Sequence, residues 1–206
     1  IFDSTERSGF LNVIAITDHD DIRGAVEARE VHARGNYSFD FVTGTEITTL
    51  SGHILALWID EPVPSFKPLH RTIELVHELG GIVIIPHPFS HLTRSVGYQS
   101  LDKLMRRADE IYRPDAIEVG NPTSTHRFSG FHSGRRVTRL NRERWNLAET
   151  GGSDAHFKEA IGSGYTLFCG QTDNSLRRAI SSHSTIGLID TEFSFLEIGL
   201  GRLVAQ

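Results

Sequence analysis

Six residues with metal-binding side chains punctuate this chain: His19, Glu46, His53, His87, Asp154 and His156. Each lies beside a short apolar run, in the segments IAITDHD, FVTGTE, GHILAL, IVIIPHP and GGSDAH. Strand ends have no structural need for imidazoles or carboxylates. A metal cluster does, because ligands from separate strands can converge at one end of a barrel. Glu46 follows Gly44-Thr45, and a buried carboxylate costs several kcal/mol unless it is paired or metal-bound. Its two oxygens suit it to bridge two ions. His53 lies beyond a turn from Glu46, so the two can approach. Pro86 and Pro88 fix the backbone on either side of His87. Asp154 and His156 are two residues apart and share one face of an extended segment. A ligand set of nitrogen and oxygen alone suits Mn, Zn or Fe better than Mg or Ca.

Alternating strand and helix patterns must position these residues. Val13–Ile16 reads as a buried strand, followed by helical spacing through Ile22, Val26, Arg29 and Ala33 that ends near Gly35. Phe41–Thr43 and Ile54–Ile59 read as strands joined by a turn around Ser51-Gly52. Leu69, Ile73, Val76 and Leu79 keep helical spacing until Gly80-Gly81, and Ile82–Ile85 is the next strand. A helix from about Ser100 to Ala108 leads to a strand at Ala116–Val119. The spacing of Val137, Leu140, Trp145 and Ala148 predicts one long helix from Gly134 to Glu149. Short strand edges at Gly151–Ser153 and Tyr165–Phe168 and a helix at Asn174–Ser182 follow, and nothing is assigned from Ile186 onward. All-apolar strand runs alternating with helices predict an α/β fold around a parallel sheet, open or closed into a barrel.

The 206 residues fit one domain, 38% hydrophobic and 23% charged. A formal charge of -5 argues against stable binding of duplex nucleic acid. The lone Cys169 excludes an intrachain disulfide and is expected to be a buried, reduced thiol, which points to a cytoplasmic protein. No apolar stretch reaches the roughly 20 residues that cross a bilayer, so no membrane partner is expected. Oligomeric state has no sequence signature here.

In this order, the motifs ITDHD, GTE, GHILAL, IPHP and GGSDAH resemble those of the polymerase and histidinol phosphatase (PHP) family of metal-dependent phosphoesterases, from about Asn12 to Phe168. The resemblance implies a distorted (β/α)7 barrel holding two or three divalent metal ions and hydrolysing phosphate esters. It makes His19, Glu46, His53, His87, Asp154 and His156 metal ligands, with Glu46, Asp154 and His156 also catalytic. One motif departs: the family opens with a strand ending in His-x-His, and no His precedes Thr17. The chain begins with Ile1 rather than Met, so that first strand is expected to lie outside the residues given.

The chemistry expected of such a site is attack on phosphorus by a metal-activated hydroxide. The substrate would be a small phosphorylated metabolite, a nucleotide or an oligonucleotide end. Arg94 and Arg127 follow strand ends and could each fork a phosphate, and Asn121 could touch a bound ligand. Arg135, Arg136, Arg139, Arg142 and Arg144 read as a solvated helix face. Two other functions compete. A metal-dependent amidohydrolase would commonly carry a bridging lysine, but Lys67, Lys103 and Lys158 end no strand. A degenerate barrel would bind metal or phosphate without turnover.

Overall fold

A computed structural model describes residues 1–90, 93–106, 109–122 and 133–190. Their elements run α1 (Phe2–Ser8), β1 (Val13–Ile16), α2 (Arg23–Arg34), β2 (Asp40–Thr49), β3 (Gly52–Leu57), α3 (Leu69–Glu78) and β4 (Ile82–Ile85). There follow α4 (Tyr98–Met105), β5 (Ala116–Gly120), α5 (Ser133–Leu140), β6 (Ala148–Gly151), β7 (Gly164–Leu167), α6 (Asp173–Ser181) and β8 (Ile186–Ile189). Strands β1 to β6 form one curled, half-barrel sheet in sequence order, and β7–β8 is a separate antiparallel pair. Thr166 ties that pair to β6: its hydroxyl donates to the Gly151 carbonyl and accepts from the Gly151 N–H, both at 3.0 Å.

The sheet is mixed, which corrects the expectation of a purely parallel one. β1–β2, β4–β5 and β5–β6 are parallel, but β3 runs antiparallel to both β2 and β4. The two-residue turn at Leu50-Ser51 dictates this, because so short a link can only fold a strand back on its neighbour. The same hairpin lengthens β2 past Glu46, so Glu46 sits within a strand and not at its end.

Two apolar layers sandwich the sheet. Val83 and Ile85 of β4 face a cluster with Ile73 and Val76 of α3, Leu101 of α4 and Val137 of α5. Ile82 and Ile84 face the opposite way, with Val42, Leu57, Ala116, Ala148 and Ile180 of α6. Burial on both faces explains why β4 reads as the unbroken run IVII. Fully buried side chains such as Ile73 and Leu101 each contribute about 1.5–3 kcal/mol.

The helix predicted from Gly134 to Glu149 is broken. After α5 the chain widens into a π-helical turn at Asn141–Trp145, then Asn146 turns left-handed at φ 52°. The Asn141 amide closes the turn, accepting from Leu147 N and donating to Leu147 O, both at 2.9 Å. Ala148 is thereby released to pair with Ala116. Of the arginine face, Arg142 pairs with Glu149 and Arg144 with Asp102. Cys169 is exposed, not buried, because it lies in the surface turn between β7 and α6. No helix among the described residues is long and apolar enough to cross a membrane.

Candidate metal centre

Glu46 is the hub of the site. Its carboxylate is buried, and His53 Nδ1 and His87 Nε2 donate to Oε1 at 2.8 and 3.1 Å. His19 Nδ1 stands 3.8 Å from the other oxygen, Oε2. Burial alone would push the Glu46 carboxyl upward. The hydrogen bonds from His53 and His87 and the charge of the surrounding imidazoles outweigh it and hold the group at about 2. The His87 ring is likewise pushed down by burial but raised overall by Glu46 and by the nearby Glu118 and Asp154 carboxylates.

Each side chain is delivered by local structure. His19 leaves β1 and forms a bridge to Glu46, fixed by Glu46 N donating to Asp18 O and Asp20 N donating to Glu46 O. Asp20 locks this loop to β2: its carboxylate accepts from the Thr48 N–H and hydroxyl, each at 2.7 Å, and from the Ser65 hydroxyl at 2.6 Å. Those bonds keep the Asp20 carboxyl low despite some burial. They also compensate the strain of its positive φ of 55°. His53 shares the hairpin with Glu46, one ladder step diagonally across. His87 follows β4 and is only 2% exposed. The Ser95 and Thr93 hydroxyls flank its Nδ1 at 2.9 and 3.1 Å, which leaves Nε2 for Glu46.

His19, Glu46 and His53 each offer a ligand atom, and these atoms lie within 4.8 Å of one another. Two imidazole nitrogens and a carboxylate oxygen are a donor set that fits a divalent cation. Five of the six predicted ligands, all but His53, line one cavity of about 710 Å³. Asp154 and His156 come from the loop after β6, where His156 Nδ1 lies 3.0 Å from the Asp154 carbonyl oxygen. The His156 ring stands 6.2 Å from that of His19, centre to centre.

Of the predicted substrate contacts, Arg94 lies between Thr93 and Ser95. Its carbonyl accepts from His53 N–H at 2.8 Å and its guanidinium lies 5.8 Å above the Phe66 ring. Asn121 lines the cavity but is buried, and its amide donates to Glu118 Oε2 at 2.9 Å. Arg127 lies outside the described residues.

The sequence motifs assign Glu118 no role, although a carboxylate inside the apolar strand AIEVG is a signal for one. It is buried at the cavity wall, and Oε2 accepts from the His87 N–H at 2.7 Å. Burial pushes its carboxyl up to about 7, against the lowering pull of the His87 and Asn121 hydrogen bonds.

Comparison with known proteins bears on the fold and on the C-terminal part of the chain. A family model described as PHP-associated matches residues 136–185, from α5 to the turn before β8. The uncharacterized protein MJ1587 of Methanocaldococcus jannaschii is 37% identical over 92 residues, 45% of this chain and 53% of that protein. The chain thus spans about half the length of this relative. A two-domain protein of Bacteroides vulgatus, described as containing a predicted PHP-like metal-dependent phosphoesterase, superposes with a TM-score of 0.63 at 17% identity, over 91% of this chain and 58% of that one. The lesion-specific endonuclease EndoQ of Pyrococcus furiosus gives a TM-score of 0.57 at 14% identity, over 90% and 51%. The chain thus shares its fold with proteins described as PHP-like, and its residues 136–185 match a family model described as PHP-associated.

Proposed function

We propose that this chain hydrolyses phosphate esters at the cluster centred on Glu46. The observation that carries the reading is one buried carboxylate facing three imidazoles, His53 and His87 through Oε1 and His19 through Oε2. Its two oxygens serve different partners, which supports a site for two or three divalent ions, with Asp154 and His156 completing the ligand set. The distorted (β/α)7 barrel belongs to the same reading. When bound, such cations lower the pKa of a water and neutralise phosphate oxygens.

The chain's own residues have separate tasks in this reading. Asp20 holds the His19 loop against β2, and the Thr93 and Ser95 hydroxyls orient His87. Arg94, tied by its carbonyl to His53, supplies a guanidinium to the phosphate. The substrate class remains that of a phosphorylated metabolite, a nucleotide or an oligonucleotide end. The solved endonuclease of like fold supports the last of these.

The test uses full-length protein loaded with Mn²⁺ and two generic substrates, p-nitrophenyl phosphate and bis(p-nitrophenyl) phosphate. Release of p-nitrophenol should stop on chelation, return with Mn²⁺ and fall at least about 100-fold in Glu46→Ala. Metal content well under one equivalent together with no turnover would sink the proposal.

A further inference from the structure

The segment Pro86-His87-Pro88 has a single backbone N–H, because neither proline carries one. That N–H belongs to His87, whose φ of 31° lies in the left-handed region that a side chain rarely adopts. It points at a side chain and not at a strand carbonyl: Glu118 Oε2 accepts it at 2.7 Å. Glu118 is itself held from the far side, where Asn121 donates to the same oxygen at 2.9 Å. The remaining oxygen, Oε1, faces Gly152, two residues before Asp154. A Cβ at Gly152 would have as its three nearest atoms the Glu118 carboxyl group, with Oε1 closest. So the glycine leaves the space that the Glu118 carboxylate fills.

We infer that Glu118 is a positioning residue that sets the metal-binding face of His87, and that Gly152 is glycine to make room for it. The inference rests on the proposed metal centre, but the geometry behind it is independent of turnover. Glu118 touches no substrate in this account. It holds the backbone of His87 while Ser95 and Thr93 hold the ring, so that Nε2 reaches Glu46. Because Gly152 leads into Asp154, displacing Glu118 would disturb two ligand-bearing loops together.

Two variants separate this role from general stability. Glu118→Gln keeps the shape and alters the acceptor. Gly152→Ala keeps Glu118 and pushes it aside, and at a position with no positive φ the added methyl strains nothing else nearby. The first readout is the long-range ¹H–¹⁵N spectrum of the imidazoles in metal-free protein, and the second is Mn²⁺ affinity by calorimetry. Both variants should move or broaden the His87 ring signals, leave those of His77 in place and weaken Mn²⁺ binding by about tenfold or more, within the range seen for groups that orient ligands. Unmoved His87 signals in a folded Gly152→Ala, with Mn²⁺ affinity within twofold of wild type, would overturn the inference. Should Glu118→Gln fail to fold, Gly152→Ala decides alone. If wild-type protein binds no Mn²⁺, the proposed function falls, while the His87 spectrum still decides the role of Glu118.

Discussion

Replacing Glu46 by Gln should destabilise the metal-free protein, and the size of the loss can be worked from the site. The carboxyl is held at about 2 against an ordinary 4.5. At about 1.4 kcal/mol per tenfold in proton affinity, that difference corresponds to roughly 3 kcal/mol of preference for the charged form. Little is lost to solvent screening, because the side chain is only 7% exposed. Gln keeps the shape and one acceptor oxygen but removes the charge that His53 and His87 face.

The sign follows from linkage. A carboxyl whose value is depressed by folding adds stability that is fully present above pH 4.5 and is lost as pH falls through about 2. His87, which faces the same carboxylate, is pushed down by burial but raised overall above its ordinary 6.5. The gap between wild type and Glu46→Gln should therefore be about 3 kcal/mol at pH 5.5 and about 2 kcal/mol at pH 3.5. Urea unfolding in the presence of chelator measures both. Equal stabilities at pH 5.5, or a gap that does not narrow at pH 3.5, would refute the reasoning.

Three further outcomes follow from other parts of the molecule. Burial pushes His77 down, but its bonds to the Asp115 carboxylate and the Ile111 carbonyl raise it above 6.5, so its stabilising contribution is full below that pH and lost as pH rises through the raised value. The unfolding free energy of wild type should exceed that of His77→Gln by about 1 kcal/mol at pH 6 and by less at pH 9; a gap that does not change with pH would contradict the assignment. Gly44→Ala should cost about 2 kcal/mol in chemical denaturation, since its Cβ would lie 2.7 Å from both the Ala56 carbonyl oxygen and Leu57 Cδ2. An unchanged midpoint would mean the hairpin is looser than it looks. Cys169 should react with Ellman's reagent at one equivalent in native protein without denaturant, and a silent thiol would contradict its exposure.

The local pattern carried most of the elements and missed where direction and geometry are set at a distance. The apolar runs at β1 and β4 and the helical spacing of α2, α3 and α6 were legible because each buries a periodic face. Strand direction around β3 was not, since periodicity is the same for parallel and antiparallel pairing; only the shortness of the Leu50-Ser51 turn carries it. The break after Leu140 was hidden for another reason. Trp145 continues the helical spacing, while the hydrogen bonds that close the turn come from the amide of one Asn. At the site, residue types flagged Glu46 and the imidazoles, because charge and nitrogen donors are costly in such positions. Glu118, Asn121, Thr93 and Ser95 hold those residues through ordinary hydrogen bonds. A carboxylate inside an apolar strand marks Glu118, and Asn121 follows that strand, but nothing in the sequence marks Thr93 and Ser95, because hydroxyls serve the same purpose anywhere.

The β2–β3 hairpin makes the centre unusually sensitive to chain length. Thr48 pairs with His53 and Glu46 with Leu55, so Glu46 and His53 share a face and stand one diagonal apart, and a one-residue slip would separate them. A single residue added to the Leu50-Ser51 turn, with β3 held in place by β4, would offset β2 and send the Glu46 side chain to the opposite face. Insertions there would take the carboxylate hub away from the imidazoles that face it. A turn that looks like a tolerant surface loop is thus the ruler that measures one ligand against another.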